Sequence, residues 1–178
     1  ERDYPAIAKR ARAERAVVYW GDETGISNRD QVGRSYAPEG ETPVVNRTAK
    51  RVAQSLIAAV SNRGLMGFML YDGALDADRF IAFLRRLVSD AGRKVFLIVD
   101  NLKVHHAKKA AAWVASHLHE VELFHLPAYA PEHDPDEYLN HALKQALREK
   151  PRPGSKDEPI GNARSVLRAI RRSPDRVQ

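Results

Sequence analysis

Two carboxylates stand at the ends of apolar runs. Asp22 closes Ala16-Val17-Val18-Tyr19-Trp20-Gly21, and Asp100 closes Lys94-Val95-Phe96-Leu97-Ile98-Val99. For either acid alone, a strand-end contact to a turn is the commoner arrangement. Two of them, each at the carboxyl end of a buried strand, stand where α/β sheets place their ligands. A third acid comes from Glu132, Asp134, Asp136 or Glu137, within a Pro-studded stretch at 127–137. Carboxylates grouped this way suit a hard divalent cation, which takes oxygen ligands and keeps several waters. Two such ions about 4 Å apart activate an attacking oxygen and stabilise a leaving one in phosphodiester chemistry. Glu137 also has a structural role available. With Asp134 as N-cap and Pro135 in the first turn, Asp-x-x-Glu is a capping-box variant.

The elements that position these acids follow from periodicity. The run at 95–99 is mostly β-branched or aromatic and reads as a strand buried on both faces. The run at 16–22 has the same form. Residues 31–37, 52–60 and 65–71 read as further strands, the last two joined by the turn signal Ser61-Asn62-Arg63-Gly64. Residues 4–15 form a short lead-in helix, with Tyr4, Ile7, Ala8 and Ala11 on one stripe. Asp76 caps a helix whose apolar face is Phe80, Ile81, Phe83, Leu84, Leu87 and Val88, ended by Gly92. A helix over 106–117, a strand over 121–126 and a helix over 135–149 complete the pattern. Trp20 and Trp113 are expected in the core.

The order β-β-β-α-β-α-β-α, three antiparallel strands followed by alternating helices and parallel strands, is that of an RNase H-like α/β fold with a mixed five-stranded sheet flanked by helices. In that topology the first and fourth strands are neighbours, which sets Asp22 against Asp100. The expected divisions are a lead-in at 1–15, a catalytic domain at 16–150 and a basic tail at 151–178.

Composition narrows the function classes. A chain of 178 residues suffices for one domain with a real core. It has no cysteine, so neither a disulfide framework nor a thiolate zinc site is available. No apolar run reaches membrane-spanning length and no signal peptide is visible, so a cytoplasmic protein without a membrane partner is the expectation. The net charge is +6, and residues 148–178 hold nine Lys or Arg against four Asp or Glu. This stretch reads either as a solvated tail with a short helix near 161–172 or as an arm that tracks phosphates.

Four stretches, in order, carry a family resemblance: Tyr-Trp-Gly-Asp-Glu-Thr-Gly at 19–25, Gly-Arg-Ser-Tyr-Ala-Pro-Glu-Gly-Glu-Thr-Pro-Val at 33–44, Leu-Ile-Val-Asp-Asn-Leu-Lys-Val-His-His-Ala at 97–107, and Leu-Pro-Ala-Tyr-Ala-Pro-Glu-His-Asp-Pro-Asp-Glu at 126–137. Over nearly its whole length the chain resembles the catalytic domain of a DDE transposase of the Tc–mariner superfamily, in particular its bacterial branch, the insertion-sequence six-thirty family. The family's three catalytic acids fall on Asp22, Asp100 and Glu137, which the resemblance makes the ligands of two divalent cations, Mg2+ or Mn2+. Glu23 and Asp136 are second choices. His133-Asp134 departs from the family's usual Leu-Asn before Pro135, adding a charge and removing an apolar anchor.

The resemblance implies cleavage of double-stranded DNA at transposon ends and strand transfer into target DNA. It further implies a homodimer in the transposition complex and a place at the bacterial nucleoid. Arg34, Lys103, His105, His106, Lys108 and Lys144 are the expected DNA contacts. Family members also carry an N-terminal helix-turn-helix region; the chain opens without an initiator Met, so a piece of a longer protein is expected, binding DNA mostly through phosphates. Two other classes fit part of the sequence. One is a catalytically inactive DNA-binding relic that keeps the acids. The other is a phosphoacceptor domain that phosphorylates Asp100, which needs a regular parallel sheet.

Overall fold

A computed structural model describes residues 3–27, 53–100, 103–126, 143, 145–146 and 158–172. Helix α1 (Asp3–Ala13) leads into β1 (Val17–Ser27), followed by the hairpin of β2 (Ala53–Ser61) and β3 (Met66–Tyr71). Then come α2 (Ala77–Ala91), β4 (Val95–Val99), a 3-10 turn (Lys103–His106), α3 (Lys108–Ser116) and β5 (Val121–His125). A C-terminal helix spans Glu158–Arg171.

The five strands form one sheet in the order β3-β2-β1-β4-β5. β1–β2 and β2–β3 are antiparallel, whereas β1–β4 and β4–β5 are parallel. This is the expected mixed sheet, with the first and fourth strands side by side. Its antiparallel front half is incompatible with the all-parallel sheet that the phosphoacceptor reading requires. The candidate strand at 31–37 and most of the helix expected at 135–149 lie outside the described residues; Leu143, Gln145 and Ala146 are helical.

Period-two alternation divides the side chains between the two faces of the sheet. One face, with Val17, Tyr19, Ile57, Ala59, Val95, Leu97 and Val99, packs against Phe80, Phe83, Leu84 and Leu87 of α2 and Ala110 and Val114 of α3. On the other, Val18, Phe96 and Ile98 meet Ala11 of α1, while Ile26, Leu56, Ala58 and Val60 meet Leu143 and the C-terminal helix. All five β4 residues are buried, as a strand covered on both faces requires. α2 is capped as its sequence predicts. Asp76 accepts the Arg79 N–H at 2.8 Å, and Gly92 adopts φ 61 at the carboxyl cap, a conformation that favours glycine.

Three expectations change. β1 runs to Ser27, five residues beyond Asp22, because β2 keeps pairing with it as far as Ser27–Ala53. The short helix expected near 161–172 is present, but it packs into the core instead of lying solvated. Ala163, Val166, Leu167 and Ile170 are buried at helical spacing, while Arg164, Arg168 and Arg171 stay exposed. Both tryptophans are half-buried at the margins of the core. Trp20 lies beside Tyr4 with ring centroids 5.3 Å apart, and Trp113 stacks on His117 at 4.2 Å. An indole is too large to be fully enclosed in most sites.

Candidate active site

The parallel ladder between β1 and β4 ends at Gly21–Val99. One residue further along each chain are Asp22 and Asp100, so their backbones are separated by about 4.8 Å, the spacing of adjacent strands. Gly21 permits the close packing that precedes Asp22. A Cβ there would lie 3.1 Å from Leu97 Cδ1 and 3.4 Å from the Ala58 carbonyl oxygen. Asp22 Oδ1 accepts the backbone N–H of Glu23 at 2.7 Å. Glu23 points elsewhere, as alternation predicts. Its carboxylate accepts a hydrogen bond from the Tyr71 hydroxyl at 2.5 Å. Burial, reinforced by that bond, raises the Tyr71 pKa well above the usual phenol range, so the hydroxyl stays a donor.

His105 supports Asp100 from below. Its ring is 3 % exposed and lies 4.7 Å from the Phe80 ring. Nδ1 is 3.0 Å from the Asp100 carbonyl oxygen and 3.3 Å from Oδ1 of the Asp100 side chain. Both neighbours accept hydrogen bonds, so Nδ1 carries the proton and donates. A ring buried in this way meets Asp100 rather than solvent. That burial sets it apart from the exposed His106 among the expected DNA contacts.

Burial lowers the His105 pKa, outweighing the opposite pull of Asp100. A folded-state value below the unfolded one favours the neutral ring in the fold. The stability it contributes is complete above the ordinary value of 6.5 and is lost as pH falls through the folded value. Unfolding free energy measured in EDTA should therefore hold above the ordinary value of 6.5 and decline as pH falls below it, by up to roughly 1.4 kcal/mol per pH unit. His105→Gln should flatten that part of the profile. Identical profiles for the two proteins would show that the ring does not titrate against the fold.

Sequence reasoning missed His125. It ends β5 opposite Val99, immediately beside the Asp100 position, and stacks on His106 with centroids 4.1 Å apart. Burial, and secondarily the neighbouring His106, lower its pKa. The available signal was a histidine closing the strand next to the Asp100 strand. His106 and Lys108 are exposed on this side of the sheet, and Lys103 lies in the 3-10 turn between them and Asp100. Glu137, Arg34 and Lys144 lie outside the described residues. Among the described residues, no group of three His, Asp or Glu side chains is arranged to hold a metal. The donor chemistry of Asp22 and Asp100, two carboxylates just past the end of the β1–β4 ladder, fits a hard divalent cation.

A family model described as DDE superfamily endonuclease matches residues 17–159. The chain belongs to this family. The match starts at β1 and takes in both acids and the whole sheet. Among solved structures, Mos1 transposase in its paired-end complex with the left transposon end superposes with a TM-score of 0.64 at 19 % identity, over 97 % of this chain and 57 % of that one. The Mos1 mariner paired-end complex with Mn gives 0.60 at 19 %, over 97 % and 57 %. The HTLV-2 integrase catalytic core domain in complex with magnesium gives 0.53 at 11 %, over 87 % and 82 %. These likenesses establish an RNase H-like fold of the transposase and integrase type. The chain spans just over half the length of the Mos1 chains it matches. A search of curated proteins gave no match. Among the described residues, no helix is long and apolar enough to cross a membrane.

Proposed function

We propose that this DDE endonuclease-family chain is the catalytic domain of a DNA transposase, of the bacterial insertion-sequence six-thirty type, that cleaves phosphodiesters at transposon ends and transfers the freed strand into target DNA. One observation carries the reading: the parallel pairing of β1 with β4, whose ladder ends at Gly21–Val99, so that Asp22 and Asp100 each follow its last paired residue on neighbouring strands. The Mos1 and HTLV-2 structures, one solved with Mn and another with magnesium, support a divalent requirement.

Asp22 and Asp100, with Glu137 as third ligand, would hold two ions, Mg2+ or Mn2+. Bound there, the ions lower the barrier to attack on phosphorus and stabilise the departing oxygen. The protein holds both carboxylates in place through the sheet, and His105 fixes Asp100 by a hydrogen bond to its carbonyl. His106, His125 and Lys108 flank the Asp100 end and supply contacts to the phosphodiester backbone; Lys103, expected from the sequence to join them, belongs to the adjacent 3-10 turn. In the first step water forms a bond to phosphorus and the P–O3′ bond breaks, leaving a 3′-hydroxyl and a 5′-phosphate. In the second, that hydroxyl attacks a target phosphodiester, and one P–O bond is exchanged for another. The protein acts as a homodimer on duplex DNA, at the nucleoid of a bacterial cell.

The test is incubation of the protein with duplex DNA carrying the transposon end, with Mg2+, Mn2+ or EDTA. Cleavage that requires the metal supports the reading. Duplex binding without cleavage in any metal would instead identify an inactive DNA-binding relic.

A further inference from the structure

At the amino-terminal end of β1, a cavity of about 420 Å³ opens beneath α1. Arg12 of α1, Arg15 at its carboxyl end, Arg63 of the β2–β3 turn and Arg93 before β4 all line it. Four arginines from three separate segments thus line one cleft. None has a carboxylate partner among the described residues. The contrast with their neighbours is direct. Arg10, also on α1, is paired with Glu14 at 3.0 Å and Glu122 at 2.7 Å, and Lys94 is paired with Glu14. Among the described residues, acids neutralise Arg10 and Lys94 but none is paired with the arginines that line the cleft.

Arg15 adds an independent sign. Its φ of 54 makes it the one non-glycine residue with positive φ among the described residues. It follows α1 where the chain closes back through Ala16 N–H to the Ala11 carbonyl at 2.8 Å, a position that ordinarily takes glycine. A long cationic side chain there costs about 1 kcal/mol of backbone strain, yet it brings a fourth guanidinium to the cleft wall.

We infer that this four-arginine cleft is a second DNA-binding site, taking backbone phosphates of the duplex engaged at the acidic pair. The inference rests on the proposed action on DNA. Val18, which lines the cleft, and Asp22 alternate onto the same face of β1. Four residues of strand separate them, or about 13 Å. A duplex presents one charge per roughly 1.7 Å of axis, so a single bound helix spans both positions. Clustered like charges without counter-charges favour a polyanion over a neutral ligand.

The experiment measures binding of a labelled duplex to the full chain in EDTA, where metal bridging through Asp22 and Asp100 is absent, across a range of salt. Arg12→Gln/Arg63→Gln should bind about tenfold more weakly, with a salt slope shallower by roughly 1.8. Arg12→Lys/Arg63→Lys, which keeps the charge, should recover most of the binding. Lys109→Gln/Arg171→Gln removes the same net charge from residues already paired with Asp78 and Asp90 and should change little. Unchanged binding in the cleft variant, or an equal loss in the paired-cation control, overturns the inference. Polyglutamate competing as well as DNA, or tripolyphosphate binding to the cleft without an effect of the variants on DNA, also overturns it. Failure of the transposase reading looks different: wild-type protein would then bind no duplex, or would bind it without metal-dependent cleavage, whatever the cleft variants do.

Discussion

Asp100→Asn and Asp22→Asn should each lower metal-dependent DNA cleavage by a factor on the order of 10³ or more, while leaving the fold intact. Asparagine keeps the shape of the carboxylate but loses the charge that offsets a divalent cation. Groups that act as one unit in catalysis each cost nearly the full effect when removed, so the double variant should be scarcely worse than either single one. Both positions are partly exposed and asparagine matches the volume of aspartate, so neither substitution opens a cavity. Glu23→Gln is the informative contrast. It lies next to Asp22 in sequence, but its carboxylate is engaged by Tyr71. It should retain cleavage within about tenfold, since its loss costs one hydrogen bond of roughly 1 kcal/mol. Initial rates on an end-sequence duplex, with circular dichroism as the folding check, distinguish these cases. Cleavage by Asp100→Asn at the wild-type rate would remove Asp100 from the reaction.

Phe80→Ala should cost about 3–5 kcal/mol of stability. Phe80 is fully buried in the first turns of α2, where it packs within the main core cluster and against the His105 ring. Truncation leaves a void bounded by α2, the sheet and the 3-10 turn. Total stabilities of 5–15 kcal/mol make this a large fraction of the whole. Urea denaturation would register the loss as a lower midpoint at unchanged slope. The variant should also lose cleavage activity beyond what its unfolded fraction accounts for, because the void releases the ring that fixes Asp100. Phe80→Leu, which refills most of the volume, should recover much of both. An activity that tracks only the folded fraction would show that the His105 contact is packing without influence on the acid.

The parts of this fold that were legible in the sequence are those where a single physical demand governs the residue choice. A strand buried on both faces needs five apolar residues in succession, and Val95–Val99 meets that demand. The α2 face needs apolar residues at helical spacing, and Phe80, Ile81, Phe83, Leu84 and Leu87 are all buried. Asp22 and Asp100 were visible because carboxylates ending such runs stand out against the strands they close.

The misread parts involve competing demands or distant partners. Overall charge made 151–178 look like a tail, although Ala163, Val166, Leu167 and Ile170 carry a helical stripe; the arginines between them occupy the solvent face of the same helix. The full length of β1 depends on pairing with β2, some thirty residues away, and local pattern does not report it. His105 looks like its neighbour His106, yet one ring is buried against Phe80 and the other is exposed. Only the 3-10 turn separates their fates. His125 gained no weight from its own segment, since its interest comes from lying beside Asp100 on the adjacent strand.

Calorimetric titration of the wild-type chain and Asp100→Ala with Mg2+ and Mn2+, without and with duplex DNA, tests the central claim most directly. The acidic pair as a metal-binding catalytic site predicts saturable binding by the wild-type protein, strengthened by DNA and lost in Asp100→Ala. No binding by the wild-type protein even with DNA present, or equal binding by both proteins, would contradict it and leave Asp22 and Asp100 with a structural role alone.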